Sequence, residues 1–310
     1  MGRTFETLRV SLLNTCNLEC TYCVNDGVVG NKSPQINTLE YNELFEIIKR
    51  IHSILNLNTI RLTGGEPTLY KNIVPLINLL NTLEVEIKLT TNGFLLKNLI
   101  QKLNQNDISS INVSLDAIDE DVFFQISKRR SVVKIIEGID VAIDKGIKVK
   151  LNCVVIKGVN ENQILPILNF AKERKIVIRF LEVMKMGHLF YETDTRLFSQ
   201  NEILNTIQTQ INFTHLPRKS SDTSNYWQTN DGQIFGIIAN ESAPFCSDCN
   251  RLRLDSYGNI YGCLSNPNGI SIRNSVNDTN ELIANLEKAL LQKQTLKFQG
   301  SSLEMIEVGG

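Results

Sequence analysis

Six of the seven cysteines of this 310-residue chain stand in two triplets. The first, in CNLECTYC, places Cys16, Cys20 and Cys23 with three and then two residues between them. The second, in CSDCNRLRLDSYGNIYGC, has two residues between Cys246 and Cys249 and thirteen between Cys249 and Cys263. Iron–sulfur cubanes are normally held by four thiolates, and structural zinc takes four ligands in a closed tetrahedron. Three thiols fill three corners of a cubane and leave the fourth iron to a non-protein ligand, as a catalytic zinc keeps one position open. The Cys246–Cys249 pair by itself also suits a zinc half-site or a redox pair. No fourth cysteine lies near it, and His215 is the one histidine in the C-terminal third. Cys153 shares the apolar face of its run with Val149 and Leu151 and is expected in the core.

The elements that must position these thiols follow from periodicity. Short β-rich runs at 8–13, 59–64, 86–92, 110–116, 148–156 and 176–183 alternate with amphipathic stretches such as LEYNELFEIIKRIHSIL. Six β-then-α units in succession predict a parallel sheet. Parallel strands covered by helices on both faces read as continuous apolar runs, and these do not. Leu8, Val10 and Leu12 share one face of the first run, with Arg9 on the other. Arg61, Lys88, Lys150 and Arg179 recur at equivalent positions, and Asn112, Ser114 and Asp116 share a face. A curled sheet with a ligand-filled lumen explains one polar, cationic face. The first triplet then follows the C-terminal end of the first strand, the end where β/α barrels do chemistry. After about residue 184 a polar connector leads to a helix, short strands near 233–238 and 251–263, and a helix near 279–292. The expected fold class is α/β: an incomplete (β/α)6 TIM-type barrel over 1–183, then a C-terminal α+β region over 184–310.

Cys16-x-x-x-Cys20-x-x-Cys23 after a first strand resembles the radical S-adenosylmethionine enzymes. That resemblance implies a [4Fe-4S] cluster whose open iron chelates S-adenosylmethionine, which is cleaved to a 5′-deoxyadenosyl radical. Tyr22 matches the family's aromatic before the third cysteine. TGGEPTL at 63–69, an ordinary Gly/Pro turn when taken alone, is similar to the family's Gly-Gly-Glu-Pro element, so Gly64, Gly65 and Glu66 are expected around the methionine amino group.

With the second triplet included, nearly the whole chain resembles the GTP 3′,8-cyclases of molybdenum cofactor biosynthesis. The likeness runs through IRLTGGEP, LTTNGFLL, NVSLDAID, KLNCVVIKGVNENQI, RFLEVM, the C-x2-C-x13-C triplet and the final Gly-Gly. It implies a second [4Fe-4S] cluster on Cys246, Cys249 and Cys263 that binds the guanine of GTP. It further implies abstraction of the ribose 3′ hydrogen and closure onto C8. Arg9, Arg61, Thr90, Lys150, Arg251 and Arg253 become nucleotide or triphosphate contacts, and Tyr22, Gly65, Ser114, Arg179 and Met184 part of the S-adenosylmethionine site. Gly309 and Gly310, otherwise a frayed tail, are expected to enter the active site and assist the reaction beside Arg253. An electron donor, a homodimer and hand-off to the next enzyme, cyclic pyranopterin monophosphate synthase, are implied as partners. A cationic lumen agrees with this on independent grounds, because buried charges demand compensation and guanidinium forks suit phosphates.

Some positions depart from the family pattern. Asn14-Thr15 replaces Asp-Arg before the first cysteine, Val24-Asn25 replaces Met-Pro after the third, and Thr59 stands where many members carry a lysine. These leave open a paralogue acting on a related nucleotide. A radical S-adenosylmethionine enzyme that modifies a peptide is the alternative enzyme, though such enzymes generally carry more C-terminal cysteines. A non-catalytic metal-binding module is the alternative outside catalysis. Net charge is −1, with 42% apolar and 21% charged residues, which encodes no general affinity for nucleic acid or membrane. There is no apolar run long enough to span a bilayer and no signal-peptide pattern, so a cytoplasmic protein is expected.

Overall fold

The computed structural model describes residues 3–24, 38–130 and 132–309. Asn25 and Gly310 lie outside the described residues. Six strands alternate with helices: β1 (Thr7–Ser11), β2 (Thr59–Thr63), β3 (Glu86–Thr91), β4 (Ser110–Ser114), β5 (Lys148–Val155) and β6 (Val177–Glu182). The helices between and just after them are α1 (Tyr41–Leu55), α2 (Ile73–Leu80), α3 (Leu96–Ile100), α4 (Glu120–Ser127), α5 (Val132–Asp144) and α6 (Ile164–Glu173). Beyond them come α7 (Thr193–Arg196), α8 (Gln200–Gln208), β7 (Phe213–Leu216), β8 (Asn225–Thr229), β9 (Ile234–Ile238), β10 (Arg251–Leu254), β11 (Asn259–Tyr261), β12 (Ile270–Ser271), α9 (Thr279–Leu291) and α10 (Met305–Val308).

Local chemistry explains these elements. Leu44, Ile47, Ile48 and Ile51 recur at helical spacing and form the buried face of α1. A reciprocal capping box between Glu40 and Glu43 starts that helix, and Asn56 in the left-handed region ends it. Asp119 caps α4 by accepting from the Asp121 and Val122 amides. The main core lies between the outer sheet face and the helices, with Leu8, Ile60, Leu89, Ile111, Leu151 and Phe180 fully enclosed.

The sheet has twelve strands in the order β12-β11-β10-β1-β2-β3-β4-β5-β6-β9-β8-β7. The run from β10 to β9 is parallel throughout. Strands from the 184–310 segment therefore extend both edges of the six-stranded β/α sheet, β9 beside β6 and β10 beside β1. The register aligns Arg253 with Arg9, Arg9 with Arg61 and Arg61 with Lys88, a cationic row across four neighbouring strands. The sheet curls: side chains from β10 and β1 at one side and β6 and β9 at the other line one cavity of about 280 Å3. Among the described residues, no helix is long and apolar enough to cross a membrane.

Candidate active site

The first cysteine loop leaves the end of β1 and is fixed by backbone. The Glu19 and Thr21 amides donate to Ser127 and Ile126 carbonyls at the end of α4, at 3.0 Å each, and Cys23 N closes a turn on Cys20 O at 2.8 Å. The turn after β2 is laced to the same loop, Gly65 N to Leu13 O at 2.7 Å and Glu66 N to Thr15 O at 2.8 Å. Only glycines allow that approach: a Cβ on Gly64 would lie 2.8 Å from Leu13 O, and one on Gly65 2.2 Å from Thr15 O. The Glu66 carboxylate is buried and accepts four hydrogen bonds, from Thr68 N and Oγ1, Thr91 Oγ1 and Asn92 N. It therefore ties the turn to the end of β3. Burial raises its pKa and those hydrogen bonds oppose the rise.

Burial likewise pushes the Cys16 thiol up to about 11 and Cys23 to about 12, and holds Cys20 well above the ordinary thiol range. Ile126, Ile156, Val183 and Leu189 form the apolar shell around this loop. Tyr22 donates to Asp116 Oδ2 at 2.8 Å, and Asp116 Oδ1 accepts from Val154 N at 2.8 Å, so the loop is anchored across β4 and β5. Burial raises the Asp116 carboxyl to about 6.

The lumen is strongly cationic. Burial, then the charges of Arg253, Arg61, Arg251 and Arg179, hold Arg9 well below the usual guanidinium range. Arg61 is brought down to about 9 by burial and the Arg179 charge, and Arg253 to about 10 by burial and Arg251. A guanidinium keeps its proton in a protein, so these depressions express desolvation and mutual repulsion. Lys150 is lowered by burial and by Arg179. Arg179 Nη2 donates to Asn152 Oδ1 at 2.7 Å, while its buried Nε has no hydrogen-bond partner among the described residues.

Across the cavity, Cys246 opens a short 3-10 turn that ends at Cys249, and Cys263 follows β11. Arg218 grips Asp248 with two hydrogen bonds, at 2.9 and 2.7 Å, and so pins the turn. Burial pushes Cys246 up to about 11. Burial alone would raise Cys249 too, but Arg251 and Lys293 outweigh it and bring that thiol down to about 6. Arg251 Nη2 and Lys293 Nζ each donate to Cys249 Sγ at 3.1 Å.

Residues 10–171 match the Radical SAM superfamily and residues 176–299 match Molybdenum Cofactor Synthesis C. The chain is 38% identical over 301 residues to a GTP 3′,8-cyclase of Staphylococcus carnosus, covering 93% of this chain and 88% of that one. A GTP 3′,8-cyclase of Aquifex aeolicus is 33% identical over the whole of this chain and 98% of its own length. The chain belongs to the GTP 3′,8-cyclase family of radical S-adenosylmethionine enzymes. Its fold is also similar to that of Streptococcus suis SuiB bound to the precursor peptide SuiA, with a TM-score of 0.65 at 17% identity; the likeness covers 88% of this chain and 63% of SuiB.

Several residues expected to matter in a GTP 3′,8-cyclase line the one cavity together: Arg9, Tyr22, Thr90, Ser114, Arg179 and Met184, with Arg251, Arg253 and the second cysteine triplet. Arg61 lies on the same sheet face and donates to Leu89 O at 3.2 Å. Thr59 accepts from Lys88 Nζ at 3.3 Å, the lysine arriving from the neighbouring strand. Arg253 Nη1 donates to Val308 O at 3.2 Å and to Gly309 O, which holds the last described residues over the strand ends. A Cβ on Gly309 would lie 2.2 Å from Thr63 Oγ1 and 3.2 Å from Ser11 Cβ.

Sequence reasoning did not single out the sites of Lys293, the role of Asp116 as anchor of Tyr22, or the clasp between His188 and Glu304. His188 Nε2 meets Thr21 O at 2.9 Å and Nδ1 meets Glu304 Oε2 at 3.2 Å, joining the first loop to the tail. The position of Asp116 on the polar face of β4 with Asn112 and Ser114 was a usable signal for that residue. Nothing local to Lys293 or His188 marks them.

Proposed function

We propose that this chain cyclises GTP, joining ribose C3′ to guanine C8 by a radical route. In this reading residues 1–183 carry the S-adenosylmethionine half, and 184–310 the second cluster and much of the substrate site. The observation that carries the reading is a single cavity lined by Tyr22 from the first loop, by all three cysteines of the second triplet, and by Arg9, Arg179, Arg251 and Arg253. A ligand there touches Tyr22 of the first loop, the second cysteine triplet and a cationic wall at once.

The donor sets fit the groups the family uses. Within each triplet the thiols act on one another electrostatically. Yet among the described residues no three His, Cys, Asp or Glu side chains converge on a single-ion position. Three thiols per site suit a cubane with one open iron better than a closed zinc site, which takes four protein ligands. Cys16, Cys20 and Cys23 would hold the first [4Fe-4S] cluster, and Cys246, Cys249 and Cys263 the second. When bound, the first cluster supplies the electron that cleaves S-adenosylmethionine to the 5′-deoxyadenosyl radical.

The chain's own side chains do the rest by binding and exclusion. Arg9, Arg61, Lys150 and Arg253 repel one another without an anion, and a triphosphate relieves that repulsion. Hydrogen bonds to charged groups contribute about 1.5–3 kcal/mol each. Tyr22, Ser114, Arg179 and Met184 would wall the S-adenosylmethionine side, with the Gly64-Gly65 turn packed against the first cysteine loop. Met184, Met186, Phe298 and Met305 shield the cavity from water, a condition for radical chemistry without side reactions. Arg253 holds the tail at Gly309 against the strand ends, which supports a place for the tail in the reaction.

Anaerobic reconstitution with iron and sulfide, then dithionite, S-adenosylmethionine and GTP deuterated at C3′, tests this. The expected result is 5′-deoxyadenosine carrying deuterium, together with the cyclised nucleotide. Unlabelled 5′-deoxyadenosine, or 5′-deoxyadenosine formed only with a peptide, would sink the reading.

A further inference from the structure

We propose that Lys293 is a hydrogen-bond donor to the second cluster through Cys249 Sγ, and that it holds Cys249 in place and raises the cluster's reduction potential. This rests on the reading of Cys246, Cys249 and Cys263 as cluster ligands. Lys293 lies two residues beyond α9, near a helix C-terminus that favours a cation. Gln292 Oε1, next to it, accepts from Gly262 N at 2.8 Å, so the end of α9 is tied to the residue before Cys263. The Lys293 ammonium is committed to protein on three sides. It donates to Cys249 Sγ at 3.1 Å and to the Arg251 carbonyl, and it lies 5.2 Å from the centroid of the buried Phe5 ring. Swinging out to meet a substrate would forfeit all three contacts, so the geometry assigns it to the sulfur rather than to a phosphate.

The first site has nothing comparable at Cys16, whose sulfur accepts from the neutral Leu18 amide at 3.4 Å and the Asn92 amide at 3.5 Å. Hydrogen bonds to cluster sulfurs and nearby positive charge both favour the more negative reduced state, so they raise the potential. Arg251 acts on the same sulfur, its guanidinium steadied over the Phe245 ring at 5.0 Å. Lys293 is thus a positioning and tuning residue.

The test uses the reconstituted full-length chain with S-adenosylmethionine present, titrated potentiometrically and read by electron paramagnetic resonance. Cys246→Ser identifies the component due to the second cluster. Lys293→Met is expected to keep that cluster's iron but to shift its reduction equilibrium about tenfold toward the oxidised form, which is about 59 mV for one electron. Lys293→Arg, which keeps donors and charge, is expected to restore most of the shift. An unchanged second-cluster potential in Lys293→Met overturns the inference, as does weakened GTP binding with no shift. If Lys293→Met loses the second cluster's iron, Lys293→Arg must regain both iron and potential; failure to do so also overturns it. The underlying reading fails separately if the wild-type chain binds one cluster's iron, or if Cys246→Ser loses none.

Discussion

The two cysteine triplets present the same number of thiols but differ in the charges placed against them. Cys16, Cys20 and Cys23 sit in an apolar shell with the carboxylates of Glu66, Asp116 and Glu304 acting on them, and burial holds all three thiols up. Cys249 sits between Arg251 and Lys293, which overcome burial and hold it down. Among the described residues, the charges acting on the first site's thiols are carboxylates and the other thiols, so its thiolates depend on the positive charge of iron. At the second, Cys249 is prepared before metal arrives, while burial still holds Cys246 up. The ligands divide the same way: an acidic end suits the sulfonium cation of S-adenosylmethionine, and a basic end suits a triphosphate.

The largest expected effects separate the triplets outright. Cys23→Ser should lose about half the iron, the share of one cubane, and all 5′-deoxyadenosine formation. Cys246→Ser should lose a similar share of iron yet still release 5′-deoxyadenosine, with no cyclised nucleotide. Iron analysis and product chromatography check both. Identical loss of 5′-deoxyadenosine in the two variants would erase the division of labour.

Next come the cations. Arg253→Ala or Arg9→Ala should weaken GTP binding about 10- to 100-fold, the worth of about 1.5–3 kcal/mol per charged contact, and leave S-adenosylmethionine affinity within about twofold. Calorimetry with each ligand distinguishes this from a general collapse of the site, which would weaken both.

Asp116 gives a pH signature at the acidic end. Its folded-state pKa is raised from the ordinary 3.8 to about 6 by burial. Between those values the unfolded chain releases the proton first, so the stability this group contributes is fully present below pH 4 and is lost as pH rises to 6. The decline should amount to on the order of 3 kcal/mol. Asp116→Asn, which can still accept from Val154 N, should flatten this part of a Tm-against-pH curve measured on the iron-free chain. A variant curve parallel to wild type would assign the slope to another group.

The smallest effect belongs to the clasp that links the first loop to the tail. His188→Ala should cost about 1 kcal/mol, the net worth of an ordinary hydrogen bond, and speed amide exchange over 301–309 several-fold. Unchanged exchange there would leave the Arg253 contacts as the sole anchor of the tail.

Much of the first site was legible in the chain because its parts are local. Three cysteines in eight residues and a Gly-Gly turn after a strand form one loop and one turn whatever surrounds them. The period of two in LRVSLL and TIRLTG placed Arg9 and Arg61 opposite an apolar face, and the register then set them side by side. The helices at 41–55 and 279–291 also follow from their own apolar spacing. The second half was harder to foresee. β7 and β8 were not anticipated, and the 184–310 segment read as an appended region. Instead β10 pairs with β1, Arg253 with Arg9, across more than 240 residues of sequence. Period-two alternation reveals which face a residue takes but not which strand lies beside it.

The sequence alone therefore determined the clustering of the thiols, the β/α alternation and the sign of charge on the inner face, since each depends on residues a few positions apart. Tertiary structure decided which cations meet which thiols. Lys293 reaches Cys249 only because α9 ends beside β11, and Asp116 receives Tyr22 only because the sheet curls. Contacts of that kind depend on packing and strand order, and the burial that shifts Cys249, Asp116 and Arg9 exists only once the chain has closed around them.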